Sequence, residues 1–289
     1  MREFKGCGTA LATPFTSGEV DYEAYAALID RQFDSGIHFL VALATTGETP
    51  ALTDEEKVAL LKLTYGHAGG LPILVGCGSN SVHSTLANMR LLDGPEVDGW
   101  LVVVPFYNKP TQEGMFRYFK TIAESTDKPV VIYNVPGRTG ANMTAETCLR
   151  LAREVPGIVG IKEASGNYNQ IEAILRGAPE GFTVLSGDDA MTLPIMKNGA
   201  KGVISVASNL APEKMSAMVS LALESRFTEA EEIDTQLTPL YKACFVESNP
   251  IPVKAGLKAL GLASAEMRLP LTEATEPTEK LISNILRSL

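Results

Sequence analysis

Lys162 directly follows the apolar residues Val159, Gly160 and Ile161, which sets an ammonium group against side chains that belong in a core. Lysine is almost never fully buried unless it is paired. Either the strand ends there and the lysine stands in water, or the amine is held in a pocket for use. Other short apolar runs end on residues of related chemical character. Thr45 and Thr46 lie in "ATTGE", Tyr107 in "PFYNKP", Tyr133 and Arg138 in "YNVPGRTG", Gly187 in "SGDD", and Ile204 with Ser205 in "ISVAS". One lysine, two tyrosines, two threonines and an arginine suit a single chemistry. An amine that loses proton affinity in a water-poor pocket is a nucleophile able to form a Schiff base with a ketone. The imine then draws electrons, so the neighbouring carbon can release a proton and become an enamine. Tyr133 can move that proton, with threonine and tyrosine hydroxyls as a relay. "TTG" offers hydroxyls and backbone N–H groups to a small carboxylate, and Gly47 permits close approach. Arg138 offers a fixed fork to a second carboxylate.

These residues need elements to hold them. The apolar runs cover 8–14, 38–44, 72–78, 99–105, 129–135, 158–164, 182–188 and 202–208. Between them, segments such as 21–34, 53–67, 81–92, 112–125 and 144–153 begin on polar residues and carry apolar positions at helical spacing. Apolar runs alternating with helices indicate parallel strands covered on the outside. The count closes a (β/α)8 barrel of the TIM type, in the α/β class. A doubly wound open sheet is the runner-up, but it would bring a glycine-rich phosphate loop after its first strand, and none follows "ALATPF". An eighth helix is expected over 210–224. The remainder reads as three helical stretches, so the expected organisation is a barrel over 1–224 and a C-terminal helical appendage over 225–289. In such a barrel the active site lies at the C-terminal ends of the strands. Taken singly, Tyr133 is equally a residue that packs on a helix, Arg138 one that pairs with a surface acid, and "TTGE" a cap on a turn. Gathered at one barrel mouth, those plain readings become improbable together.

Composition agrees with a small-molecule enzyme. The chain has 289 residues, 45% of them hydrophobic and 20% charged, with a formal net charge of −9. That balance argues against a nucleic-acid partner and offers no polybasic membrane patch. No stretch is long and apolar enough for a transmembrane span, and the N-terminus does not read as a signal peptide. Cys7, Cys77, Cys148 and Cys244 are scattered and read as buried thiols of a cytoplasmic protein, although a disulfide pair stays open. His38, His67 and His83 share no ligand spacing, so no metal site is expected.

"ATTGE", "PFYNKPTQEG", "YNVPGRTG", "GIKEASG", "LSGDD", "GVISV" and "FVESNPIPVK" together resemble the ordered signatures of the dihydrodipicolinate synthase family. That family belongs to the pyruvate-dependent class I aldolase superfamily, with N-acetylneuraminate lyase. The resemblance implies that Lys162 forms a Schiff base with pyruvate and that Thr46 holds the pyruvate carboxylate. It implies a proton relay of Tyr133, Thr45 and Tyr107, the last supplied by the neighbouring subunit of a tight dimer. Arg138 would bind the carboxylate of L-aspartate 4-semialdehyde, and backbone groups of Gly187 and Ile204 would complete the pocket. The implied assembly is a homotetramer, a dimer of dimers, with no metal or dissociable cofactor. Ala44 stands where glycine is common in the family, which would tighten the turn slightly. Sugar-acid aldolases of the superfamily are the nearest rivals, but they would want a polyhydroxyl-binding loop in place of "GRTG". A pyruvate-binding scaffold without activity would have lost Lys162, Tyr133 or Arg138, and all three are present. The resemblance also carries a negative expectation. The cleft that takes L-lysine in sensitive relatives has Asn80 here, but Ser84 and Phe106 replace a glutamate and a tyrosine, and Asp54 and Lys57 replace histidines. Feedback by L-lysine is expected to be weak or absent.

Overall fold

The computed structural model describes residues 3–289. Eight parallel strands close into a barrel: β1 (Gly6–Ala10), β2 (Phe39–Ala42), β3 (Ile73–Gly76), β4 (Gly99–Val103), β5 (Val130–Asn134), β6 (Ile158–Glu163), β7 (Thr183–Ser186) and β8 (Gly202–Ser205). Each pairs with the next, and β8 returns to β1 through Gly8↔Ile204 and Thr9↔Ser205. The outer ring contains α1 (Tyr22–Asp34), α2 (Asp54–His67), α3 (Val82–Leu92), α4 (Gln112–Ala123), α5 (Ala145–Glu154), α6 (Tyr168–Gly177), α7 (Thr192–Met196) and α8 (Pro212–Leu223). Their starts are chemically marked. Asp21, Thr53, Ser81, Thr111, Thr144 and Asn167 each accept a backbone N–H of the following turn, which satisfies donors that a helix start leaves open.

The strands are apolar on both faces because both faces are covered. Leu40, Ile73, Val75, Trp100, Val102, Ile132, Val184 and Val203 belong to the layer between strands and helices. Phe39, Val41, Leu74, Leu101, Val131, Tyr133, Leu185 and Ile204 fill the barrel interior. Alternation alone would not bring Lys162 to that interior, because β6 contains a bulge. Val130 pairs with Ile158, but Val131 pairs with Gly160, so Val159 has no partner on β5. Ile158 and Ile161 consequently both pack in the outer layer, and the phase of the strand is reset before Lys162. Gly160 permits the shift, since a Cβ there would lie 2.5 Å from the Thr183 carbonyl oxygen of β7. Beyond the bulge Tyr133 pairs with Lys162, and Asn134 with Glu163. The inward pair is chemical. The outward pair is structural, with Asn134 Nδ2 donating to Glu163 Oε2 at 3.0 Å.

A two-stranded hairpin, Phe15–Thr16 with Glu19–Val20, was not expected from the sequence. Its turn residues Ser17 and Gly18 both have positive φ, 55° and 83°, as a two-residue hairpin turn requires. The C-terminal appendage is α9 (Phe227–Ala243), α10 (Ile251–Ala259) and α11 (Glu276–Ser288). No helix among the described residues is long and apolar enough to cross a membrane.

Candidate active site

The C-terminal ends of the strands surround a cavity of about 140 Å3 whose walls include Thr45, Thr46, Tyr133, Arg138, Lys162 and Gly187. Lys162 is only 4% exposed, and its Nζ lies 4.1 Å from the centre of the Tyr133 ring. It has no carboxylate partner among the described residues, whereas the other deeply buried lysine, Lys254, is paired with Glu48. Room for its stem comes from Gly187, where a Cβ would meet Lys162 Cε at 3.2 Å and the Ala164 Cβ at 2.6 Å. The Gly187 N–H is spent on the Glu163 carbonyl at 2.8 Å.

Thr45, Thr46 and Gly47 form a single 3-10 turn after β2. The N–H groups of Gly47 and Glu48 close that turn onto Ala44 and Thr45, so those of Thr45 and Thr46 are the ones the turn does not use. Gly47 also has a packing reason that the sequence does not show. A Cβ on it would meet the Leu11 carbonyl at 3.2 Å, and its own carbonyl accepts from Thr13 Oγ1 at 2.8 Å. That close approach is to the chain leaving β1. Ala44 has extended backbone, φ −101° and ψ −171°, a geometry that any residue adopts, so glycine is not required there.

Arg138 sits on the short turn Pro136–Thr139 after β5. Its Nη2 donates to the Asn249 carbonyl at 3.2 Å. Two of the expected residues are not in the cavity wall. Ile204 is buried on β8 in the barrel interior, 1% exposed. Tyr107 is 86% exposed, because the chain leaving β4 turns outward through positive φ at Tyr107 and Lys109. Its N–H still reaches the Thr139 carbonyl at 3.2 Å, which ties that loop to the arginine turn. The expectation that both tyrosines face one mouth thus fails within a single chain.

Asn249 carries no role in the sequence reading, yet it is 3% exposed and lines the cavity. Its Nδ2 donates to Thr46 Oγ1 at 3.0 Å while its backbone carbonyl holds Arg138. The signal available was its place in "ESNPIP", directly before the prolines that start α10. Behind the mouth, buried carboxylates fix the strand ends. Burial pushes the Glu163 carboxyl up, and hydrogen bonds from Ser165, Asn134 and Gln170 pull it back. Asp189 Oδ2 accepts the N–H groups of Val206 and Ala207 at 3.1 and 2.9 Å, which holds the chain where it leaves β8. A second, larger cavity of about 580 Å3 adjoins the first through Ala44, Thr45, Tyr133, Arg138 and Asn249. The ensemble is a desolvated amine flanked by a phenol, a hydroxyl-bearing turn and a guanidinium. It can hold a keto acid at the amine and a second anion at the arginine.

The dihydrodipicolinate synthetase family model matches residues 3–289. The 4-hydroxy-tetrahydrodipicolinate synthase of Thermotoga neapolitana is 44% identical over 98% of this chain and 98% of its own length. Among solved structures, dihydrodipicolinate synthase from Thermotoga maritima superposes with a TM-score of 0.96 at 42% identity, covering 98% of both chains. The chloride-inhibited dihydrodipicolinate synthase of Acinetobacter baumannii, complexed with pyruvate, superposes with a TM-score of 0.96 at 36% identity over 99% of both chains.

Proposed function

The chain belongs to the dihydrodipicolinate synthetase family, and on that premise we infer that it condenses pyruvate with L-aspartate 4-semialdehyde through a Schiff base on Lys162. The observation that carries this reading is the buried, carboxylate-free Lys162 amine beside Tyr133, in one cavity with Thr46 and Arg138. Lys162 Nζ adds to the pyruvate ketone, and water leaves as the imine forms. Loss of a C3 proton gives the enamine, with Tyr133 and Thr45 passing the proton. The enamine carbon bonds to the aldehyde carbon of the second substrate, whose oxygen is protonated to a hydroxyl. The substrate's own amino group then attacks the imine carbon and displaces Lys162, which closes the ring of 4-hydroxy-tetrahydrodipicolinate. Thr46 seats the pyruvate carboxylate through its hydroxyl and the turn's unused N–H groups, and Arg138 takes the semialdehyde carboxylate. The backbone of Gly187 completes the pocket, while Ile204 acts from the barrel interior, outside the cavity wall. Purified protein should consume both substrates together and should not cleave N-acetylneuraminate or keto-deoxy sugar acids. Sugar-acid turnover without semialdehyde turnover would move the assignment elsewhere in the superfamily.

The two anion sites can be separated. Arg138→Ala removes a charged contact to one substrate only, and such a hydrogen bond is worth roughly 1.5–3 kcal/mol, about ten- to a hundred-fold. The expected result is a raised KM for the semialdehyde with nearly normal Schiff-base formation from pyruvate. Equal damage to both steps would show that Arg138, through Asn249, merely holds the site together.

Tyr107 completes the relay from a neighbouring subunit, within a homotetramer built as a dimer of dimers. Its exposure, on a loop anchored beside the arginine turn, supports that placement. Dissociating and mixing inactive Tyr107→Phe and Lys162→Ala proteins should restore part of the activity, since some hybrid dimers then carry one intact site. Hybrids as inactive as either parent would leave Tyr107 without this role.

A further inference from the structure

The turn that seats pyruvate is gripped from the C-terminal appendage. Glu48, the residue after Thr45–Gly47, has left-handed backbone with φ 51°, a conformation that disfavours any residue with a Cβ. Its side chain is held at both oxygens. Oε1 accepts from Lys254 Nζ at 2.5 Å, with the two side chains 2% and 0% exposed. Oε2 accepts the Arg268 N–H at 3.3 Å. Lys254 stands on α10, the helix that begins just after Asn249, and Asn249 Nδ2 holds Thr46 Oγ1. The appendage therefore grips the turn on each side of Gly47. Lys254 is itself fixed, by the Glu266 carbonyl at 2.7 Å and by the Phe15 ring, whose centre lies 4.0 Å from Nζ. Burial pushes the Lys254 ammonium down and Glu48 pulls it back up. Stability alone is a weak account of such a pair, because a buried ion pair is often no better than apolar packing of the same volume.

We propose that the Glu48–Lys254 pair is a positioning device for the pyruvate-binding turn, anchoring Thr45–Gly47 to α10 and so setting affinity for the keto acid. Lys254 also neutralises a carboxylate that would otherwise stand two residues from the seat of an anionic substrate. The proposal rests on the assignment of that turn to the pyruvate carboxylate. Three variants test it, read by the pyruvate concentration that gives half-maximal borohydride-trapped adduct and by KM for each substrate. Lys254→Met keeps the stem against Phe15 and removes the ammonium. Glu48→Gln/Lys254→Met leaves no buried charge and serves where the single variant does not fold. Thr46→Val reports on the seat itself. Both Lys254 proteins should need roughly ten- to a hundred-fold more pyruvate, as displaced binding groups do, with the semialdehyde KM unmoved. The double variant should melt near the wild-type temperature while the pyruvate defect persists. Wild-type pyruvate dependence in the double variant would overturn the proposal, because the pair would then serve the fold alone. If Thr46→Val also leaves pyruvate dependence unchanged, the turn is not the seat, and the carboxylate assignment falls with the proposal.

Discussion

Lys162→Ala is expected to lose the borohydride-trapped pyruvate adduct and to lower turnover by on the order of 10⁴-fold or more, the scale on which removal of a nucleophile acts. The size follows from the chemistry. Without a primary amine there is no imine and no electron sink, so the C3 proton of pyruvate keeps its ordinary acidity. No neighbour can substitute. Lys254 is buried but committed to Glu48 and the Glu266 carbonyl. Lys197 is on the surface and paired with Glu231, and Lys109 is exposed on the loop after β4. Lys162→Arg should be as inactive as the alanine variant, since a guanidinium does not form the imine. The decisive measurement is mass mapping after reduction, which should place the added mass on Lys162 only when pyruvate is present. Labelling at Lys109 or Lys197 would sink the assignment.

The route by which Lys162 reaches the barrel interior shows where sequence reasoning stops. The eight strands were legible because each is a short apolar run between capped helices; seven expected runs contain their strand, and the first, 8–14, only overlaps one that begins earlier, at Gly6. Alternation was not legible through β6. Its phase depends on the unpaired Val159, and the only local sign was the glycine beside it. Thr45, Thr46, Tyr133, Arg138 and Lys162 could be found because strand ends and the turns after them share one rim. Asn249 could not. It comes from the appendage and touches Thr46 across 203 positions of sequence, a contact that no periodicity encodes. Gly47 reads from the sequence as room beside a binding turn, and the structure adds a second reason for a glycine there, the close approach of the chain after β1. Tyr107 was grouped with the mouth because of its position after β4, yet the direction of its loop is set by backbone torsions that residue type does not reveal.

L-Lysine is expected to leave activity unchanged at sub-millimolar concentration, and the structure sharpens the reason. Phe106 and Lys57 both line the 580 Å3 cavity that adjoins the barrel mouth. Phe106 has no hydroxyl for an effector carboxylate. Ser84, in place of a glutamate, has no charge for an α-ammonium, and its hydroxyl accepts from Ser81 at 2.9 Å. Each lost charge-assisted hydrogen bond costs roughly 1.5–3 kcal/mol, so losing two weakens binding by on the order of a hundred-fold or more. Lys57 adds a like charge towards the effector's ε-ammonium. Asp54 offsets that charge, but it does so by pairing with Lys57 at 2.9 Å, which leaves less of its carboxylate for an incoming ammonium. The residues around Lys162 are separate from this set, so turnover should be normal while feedback is absent. Ser84→Glu combined with Phe106→Tyr should restore the two missing contacts and lower the lysine concentration needed for inhibition, without altering KM for pyruvate. An activity titration against lysine at fixed pH decides the matter, and strong sub-millimolar inhibition of the unaltered protein would mean that the cleft holds the effector through other groups.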